Sequence, residues 1–135
     1  MGVFGILLDD FGYDFAVTRQ RQNRAVRSAH RLGLSVIANC WDPEDAMLGP
    51  LGPADFLLME SWPYVDGFED SEWRERAARF DQLRGVVRIM SVSTGSFDKV
   101  LAETARARAE RWGHHAFGWS DLGYGADGHA PWSLS

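Results

Sequence analysis

Apolar and polar positions along the chain form a repeated order of helix-like and strand-like segments. Three times, a polar, Arg-rich stretch ends at a glycine and an apolar run follows directly, at Gly33, Gly85 and Gly113. Glycine just past a helix supplies the left-handed conformation that ends it, so each repeat predicts helix, tight turn and strand. Two further apolar runs, 3–9 and 55–60, are continuous, which is typical of parallel strands covered on both faces. The pattern predicts β(3–9), α(18–32), β(34–39), a helical turn near 44–48, β(55–60), α(71–84), β(86–92), α(96–112) and β(114–119).

This order predicts an α/β protein with a parallel β-sheet and helical crossovers. The chain has 135 residues, of which 45% are hydrophobic and 24% charged, as expected for one globular unit with its own core. We therefore expect a single domain over 1–135. The segment 122–135 is rich in Gly, Ser and Ala and is expected to be a loop or a disordered tail.

The net charge and the hydropathy of the chain argue against two classes of partner, nucleic acids and membranes. The net charge of −5 argues against a nucleic-acid-binding surface, where clustered basic residues would be in excess. No apolar run reaches the ~18 residues that a membrane span needs, and the first residues lack the basic region of a signal peptide. We expect neither nucleic acid nor a membrane as a partner, and a cytoplasmic location if the chain is complete.

Polar residues stand at the end of each predicted strand. The carboxyl ends of parallel strands share one edge of a sheet, so these residues are the candidates for a site. At three strand ends a Trp lies within a residue or two of a carboxylate, and an aromatic ring beside carboxylates suits a sugar. The candidates are Asp9, Asp10, Asn39, Trp41, Glu60, Trp62, Trp119 and Asp121.

Two of these positions suggest acid–base chemistry. Asp9 and Asp10 follow an apolar strand directly, so we expect at least one of them to be shielded from bulk water. Glu60 is the natural second carboxylate of a pair whose pKa values differ enough to act as acid and base. A helix cap or a divalent-metal site remains the alternative for the two aspartates.

The histidines and the one cysteine are expected to be structural. His30 lies at a helix C-terminus, where positive charge is favoured by the helix dipole. His114 and His115 begin a strand, away from the predicted site. Cys40 follows a strand end, but no His falls at a neighbouring strand end to activate it.

A family resemblance rests on two stretches, LLDDFGYDFAVTRQRQNRAVRSAHRLGLSVIANCWDP and DFLLMESW. They resemble the region from strand four to strand six in TIM-barrel proteins of the glycoside hydrolase family 114 group, which are endo-α-1,4-polygalactosaminidase-like. In that group one strand ends in a catalytic-type Asp, the next ends near Asn or Gln, and a later one ends in Glu. These features match Asp9, Asn39 and Glu60. Such a barrel needs about 200 residues or more, so the resemblance implies its C-terminal part, strands four to eight.

The resemblance implies a retaining glycoside hydrolase. In such an enzyme Asp9 would attack the anomeric carbon and Glu60 would protonate the leaving oxygen. It implies a carbohydrate substrate, no cofactor and no metal. Five strands leave a barrel open, so we also expect either a second copy or a missing N-terminal half as a partner. The residues expected to hold hydroxyls are Asp10, Asn39 and Asp121, and those expected to stack on the sugar are Trp41, Trp62 and Trp119.

The alternative is a five-stranded flavodoxin-like fold, because the chain also resembles a response-regulator receiver domain. Asp9 and Asp10 resemble the acidic end of its first strand, and 57–63 resembles its phosphorylation strand. Glu60 would stand at the phosphoacceptor position, and no Lys follows the last strand. Such a chain would be a non-catalytic interaction module, with Mg²⁺ at the two aspartates as an open option. An inactive barrel remnant would also be a non-catalytic interaction module.

Three structural expectations follow from the barrel hypothesis. The terminal strands, 3–8 and 115–119, should expose apolar surface. Asp9, Asn39 and Glu60 should lie at one edge of the sheet. Trp41 or Trp62 should flank the two carboxylates.

Overall fold

A computed structural model describes residues 4–46, 49–120 and 132–133. The chain is an α/β protein with a five-stranded parallel sheet and three helices, which confirms the predicted class of fold. The helices are α1 Arg19–Arg31, α2 Trp73–Asp81 and α3 Lys99–Arg111. The strands are β1 Gly5–Leu8, β2 Ser35–Asn39, β3 Phe56–Met59, β4 Tyr64–Val65, β5 Phe68–Glu69, β6 Arg88–Thr94, β7 Ala116–Ser120 and β8 Trp132–Ser133.

Each predicted helix and strand is found within a few residues of its expected bounds, and a 3₁₀ turn spans Pro43–Ala46. Three features were not predicted, and the first is a 3₁₀ turn at Tyr13–Phe15. The antiparallel hairpin β4–β5 turns at Asp66 and Gly67, both at positive φ, and β8 pairs antiparallel with β7. Strands of two residues are too short to produce a recognisable periodicity, which explains the other two omissions. Of the segment 122–135, expected to be a loop or a disordered tail, only Trp132–Ser133 lie within the described residues, and they form β8.

The helix ends follow the local signals in the sequence. The Thr18 hydroxyl accepts a hydrogen bond from the Arg21 N–H at 3.2 Å and caps α1. The Asp98 carboxylate accepts one from the Leu101 N–H at 3.0 Å and caps α3. Gly33 lies just beyond α1 at φ +74°, as the sequence predicts. Among the described residues, no helix is long and apolar enough to span a membrane.

The described residues fall into two compact units, and the first contains the chain up to Leu58 together with Gln82–Arg88. In this unit β2 lies between β1 and β3, and all three strands run parallel. Helix α1 contacts β2, and Val26, Val36 and Ala38 are fully buried there. This small apolar layer holds the carboxyl ends of β1 and β2 side by side.

Strand β1 is exposed on both faces, so the prediction that both of its faces are covered is wrong. Ile6 and Leu7 point to opposite faces and are 41% and 53% exposed. The expectation of an open apolar strand is confirmed here. It is not met at β7, where Trp119 is fully buried and β8 supplies a neighbouring strand.

The second unit contains Met59–Asp81 and the chain from Ile89 onward. Strands β6 and β7 run parallel in it, and helix α3 contacts β7. Its aromatic and alanine core consists of Tyr64, Ala102, Ala105 and Trp119, with Leu101 and Phe117 packed against it. The prediction of a single domain over 1–135 stays a prediction.

Candidate functional site

Asp9 and Asn39 meet at the carboxyl ends of two neighbouring parallel strands. The Asn39 Nδ2 donates a hydrogen bond to the Asp9 Oδ1 at 2.7 Å, and the Asp10 N–H donates to the same oxygen at 3.0 Å. The register that pairs Leu8 with Ala38 brings these side chains together, as strand direction predicts. The Asp9 Oδ2 accepts no hydrogen bond within the described part of the chain, so one oxygen of this carboxylate is oriented and the other is available.

The loop that follows Asp9 is held to β2 and α1 by hydrogen bonds. Asp10 adopts a left-handed conformation with φ 49°, which Asp tolerates better than most residues. The next N–H, of Phe11, donates to the Asn39 carbonyl at 2.7 Å. The buried Gln22 Nε2 donates to the Phe11 carbonyl at 2.6 Å and to the Asp45 carbonyl at 3.2 Å. The loops after β1 and β2 are therefore joined through one side chain of α1.

A groove of about 460 Å³ opens beside this loop. Asp9 and Asp10 are both exposed along it, so the expectation that one of them is shielded from water is wrong. Within the first unit β1 pairs with a neighbouring strand on one side only, which leaves its other edge open to solvent. The groove is lined by Leu8, Asp9, Asp10, Phe11, Val17, Arg21, Gln22 and Ala25.

The same edge of the sheet is rich in carboxylates, and their negative charges affect the pKa of the Cys40 thiol. Burial raises the pKa of the Cys40 thiol to about 12, and the charges of Asp45, Asp42 and Asp14 add to this shift. A neutral, buried thiol is not a nucleophile, in agreement with the prediction for this residue. Trp41, the next residue, is 70% exposed.

Trp62 and Trp119 lie in the core, which corrects the expectation that they form a stacking floor. Both are fully buried. The Trp62 indole N–H donates to the Trp73 carbonyl at 2.8 Å, and that of Trp119 donates to the Gly95 carbonyl at 2.9 Å. His114, predicted to be structural, packs on Trp62 with ring centroids 4.6 Å apart. These indoles contribute packing to the second unit and offer no face to a sugar.

Glu60 follows β3 and belongs to the second unit. It is half-buried, and its main-chain carbonyl accepts a hydrogen bond from the Arg76 Nη2 at 2.6 Å. Arg76 also donates to the Ser61 carbonyl and to the Asp70 carboxylate, each at 3.0 Å. This guanidinium fixes the backbone at the end of β3. The pairing of Glu60 with Asp9 stays a prediction, and Asp121 lies outside the described residues.

The structure also contains a buried carboxylate that the sequence analysis missed. Asp55 precedes β3 and accepts hydrogen bonds from the N–H groups of Val36 and Gly52, both at 2.8 Å. The His30 Nε2 lies 3.0 Å from each of its carboxylate oxygens. This cluster is at the amino end of β3, away from the strand ends that form the candidate site. Only the packing of α1 brings His30 to Asp55, so no local signal could have found the pair.

Neither a metal cluster among the described residues nor a known relative identifies the function of the site. No group of three or more His, Cys, Asp or Glu side chains within the described ranges is arranged to hold a metal ion. No protein-family model, curated protein or solved structure matches the chain. The candidate site therefore rests on its residues and their geometry, and the family resemblance stays an expectation.

Proposed function

We propose that the chain is the C-terminal part of a (β/α)₈ barrel of glycoside hydrolase type, with a sugar-binding site at the ends of β1 and β2. The strand order of the first unit supports a barrel. There β2 lies between β1 and β3, in the consecutive order that a barrel requires. A flavodoxin-like fold would place its first strand between the second and the third, so this order disfavours the receiver-like alternative.

The hydrogen bond between Asn39 and Asp9 is the observation that best supports a catalytic carboxylate. A retaining glycosidase needs a carboxylate oxygen directed at the anomeric carbon, with the side chain fixed by its neighbours. The Asp9 Oδ1 accepts two hydrogen bonds, from Asn39 and from the Asp10 N–H, which fixes the side chain. Its exposed Oδ2 can then make the covalent bond to the sugar.

The surroundings favour an amino sugar as the substrate. Asp10, Asp42 and Asp45 give this edge of the sheet a negative potential, which attracts the ammonium group of a galactosamine-type unit. The exposed ring of Trp41 offers an apolar face for the C–H side of a sugar. Both features agree with the polygalactosaminidase-like resemblance.

In this proposal Glu60 is the acid and then the base. Asp9 attacks the anomeric carbon while Glu60 gives its proton to the leaving oxygen, which forms a glycosyl ester on Asp9. Water then hydrolyses the ester, and the Glu60 carboxylate takes the proton of that water. Such a reaction needs the two carboxyl groups about 5 to 5.5 Å apart. The open strand β1 is one edge at which a second copy or an N-terminal half would pair, and closing the barrel would also require β8 to leave the outer edge of β7.

Binding and turnover of an α-1,4-linked galactosamine oligomer test this proposal separately. We expect Asp9→Asn and Asn39→Ala to weaken binding, measured by calorimetry or by NMR shift changes, about tenfold each. Glu103→Gln removes an exposed carboxylate of α3 that pairs with Lys99 at 3.8 Å, and is the matched control. Release of reducing ends should fall by about 10²- to 10⁴-fold in Asp9→Asn and in Glu60→Gln. Binding unaffected by Asp9→Asn, or undiminished turnover in both variants, would contradict the proposal.

A further inference from the structure

A cleft of about 550 Å³ in the second unit combines three guanidinium groups with two indole rings. Helices α2 and α3 supply its walls, and we call it the Arg–Trp cleft. We propose that it binds a small phosphate monoester, a ligand unrelated to the sugar proposed for the Asp9 site. The lining residues are Trp73, Arg74, Arg108, Arg111 and Trp112.

The charge of the cleft stands out in this chain, whose net charge is −5. Arg74 and Arg111 form no ion pair with a carboxylate among the residues that the structure describes. Glu69 faces the third guanidinium and accepts a hydrogen bond from the Arg108 Nη2 at 2.7 Å. The bond from Arg108 lowers the pKa of the Glu69 carboxyl, and the charge of Arg74 adds to that shift. The three guanidinium groups therefore face one carboxylate, which leaves a net charge of about +2 that a dianion would balance.

Arg108 is held in place before any ligand arrives. Its guanidinium carbon lies 4.6 Å from the centre of the Trp73 ring and 5.5 Å from the centre of the Tyr64 ring. Glu69 is fixed in turn, because its Oε1 accepts from the Trp73 indole N–H at 3.1 Å. The Arg108 Nη1 is buried and has no hydrogen-bond partner within the described ranges. The Arg108 side chain is 23% exposed, so this already positioned guanidinium can meet an oxyanion without a further ordering cost.

The size and shape of the cleft favour a small ligand over a nucleic acid. A volume of about 550 Å³ lies within the range of small-molecule sites. The acidic chain as a whole would repel a long polyanion, whereas one phosphate group meets only the local positive field. The half-buried Trp112 provides an apolar wall for the organic part of the ligand.

Phenyl phosphate is the first probe, with phenol as the neutral analogue, because it joins one phosphate to one ring. Binding is followed by tryptophan fluorescence and by the NMR signals of the arginine side chains. We expect saturable binding of phenyl phosphate and none of phenol. Arg111→Gln should weaken the affinity about tenfold, the effect of losing one charge-assisted hydrogen bond. Arg106→Gln removes the same charge from α3, but Arg106 pairs with Glu110 at 3.0 Å and does not line the cleft, so its affinity should stay within about twofold.

A third variant reverses the sign of the effect. Glu69→Gln removes the carboxylate that competes for Arg108 and keeps a side-chain oxygen for the Trp73 indole, so phenyl phosphate should bind about threefold or more tightly. Circular dichroism and thermal unfolding check that each variant is folded. Absence of saturable binding, equal weakening in Arg111→Gln and Arg106→Gln, or weaker binding in a folded Glu69→Gln would overturn the proposal.

Discussion

Replacing Asp55 with alanine removes the most completely buried carboxylate described in the chain, at 1% exposure. Its oxygens accept hydrogen bonds from the N–H groups of Val36 and Gly52, both at 2.8 Å. They also contact the His30 Nε2 at 3.0 Å. Alanine provides no acceptor, so two main-chain donors and one imidazole would lose their partner while the backbone around them stays packed.

The expected loss follows from those three contacts. A buried N–H without an acceptor costs about 1–3 kcal/mol, and breaking a buried charged pair from one side costs about 3–5 kcal/mol. The His30 side chain is 37% exposed and regains water, so the two N–H groups dominate. We expect Asp55→Ala to lower the free energy of unfolding by about 3–5 kcal/mol. For a chain of 135 residues this corresponds to a fall in Tm of about 11–18 °C.

Urea and thermal unfolding followed by circular dichroism measure the effect. Asp55→Asn keeps the shape of the side chain but replaces one acceptor with a donor, so its loss should be intermediate, about 2 kcal/mol. Asp98→Ala is the matched control, because the exposed Asp98 carboxylate also accepts a main-chain N–H, at 3.0 Å, and should cost about 1 kcal/mol. If Asp55→Ala costs no more than Asp98→Ala, the assignment of Asp55 as a buried structural carboxylate is wrong.

Three further outcomes test the fold and the site. The Cys40 thiol, whose pKa is raised from 9.0 to about 12, should react with a disulfide reagent at pH 8 about a thousandfold more slowly in the folded chain than in urea; equal rates would contradict its burial. Trp119→Ala should lower the free energy of unfolding by about 3–5 kcal/mol and leave the binding of a galactosamine oligomer by the folded fraction unchanged. If the variant keeps its stability but loses binding, Trp119 is a binding residue and not a core residue. Leu7→Lys places a charge on the open strand β1, so it should reduce self-association measured by sedimentation velocity. A wild-type chain that is monomeric at high concentration would contradict the expectation that β1 pairs with another chain.

The order of helices and strands, and the contact between Asp9 and Asn39, could be predicted from local patterns in the chain. Helix caps such as Thr18 and terminal glycines such as Gly33 act within a few residues, so their effect can be recognised without knowing the rest of the fold. The contact between Asp9 and Asn39 needs one further step. Both residues end parallel strands, and neighbouring strands of that kind place their ends side by side.

The exposure of the predicted groups depends on packing between distant segments. Trp41, Trp62 and Trp119 all follow or end a strand and look alike in the sequence, yet Trp41 is exposed and the other two are buried. Burial depends on which surfaces pack over each ring, and no local pattern encodes that. The same reason applies to His30 and Asp55, which are 25 residues apart, and to the Arg–Trp cleft, whose walls come from two different helices. Contacts between distant segments arise only when the chain is packed, so these features required the folded structure.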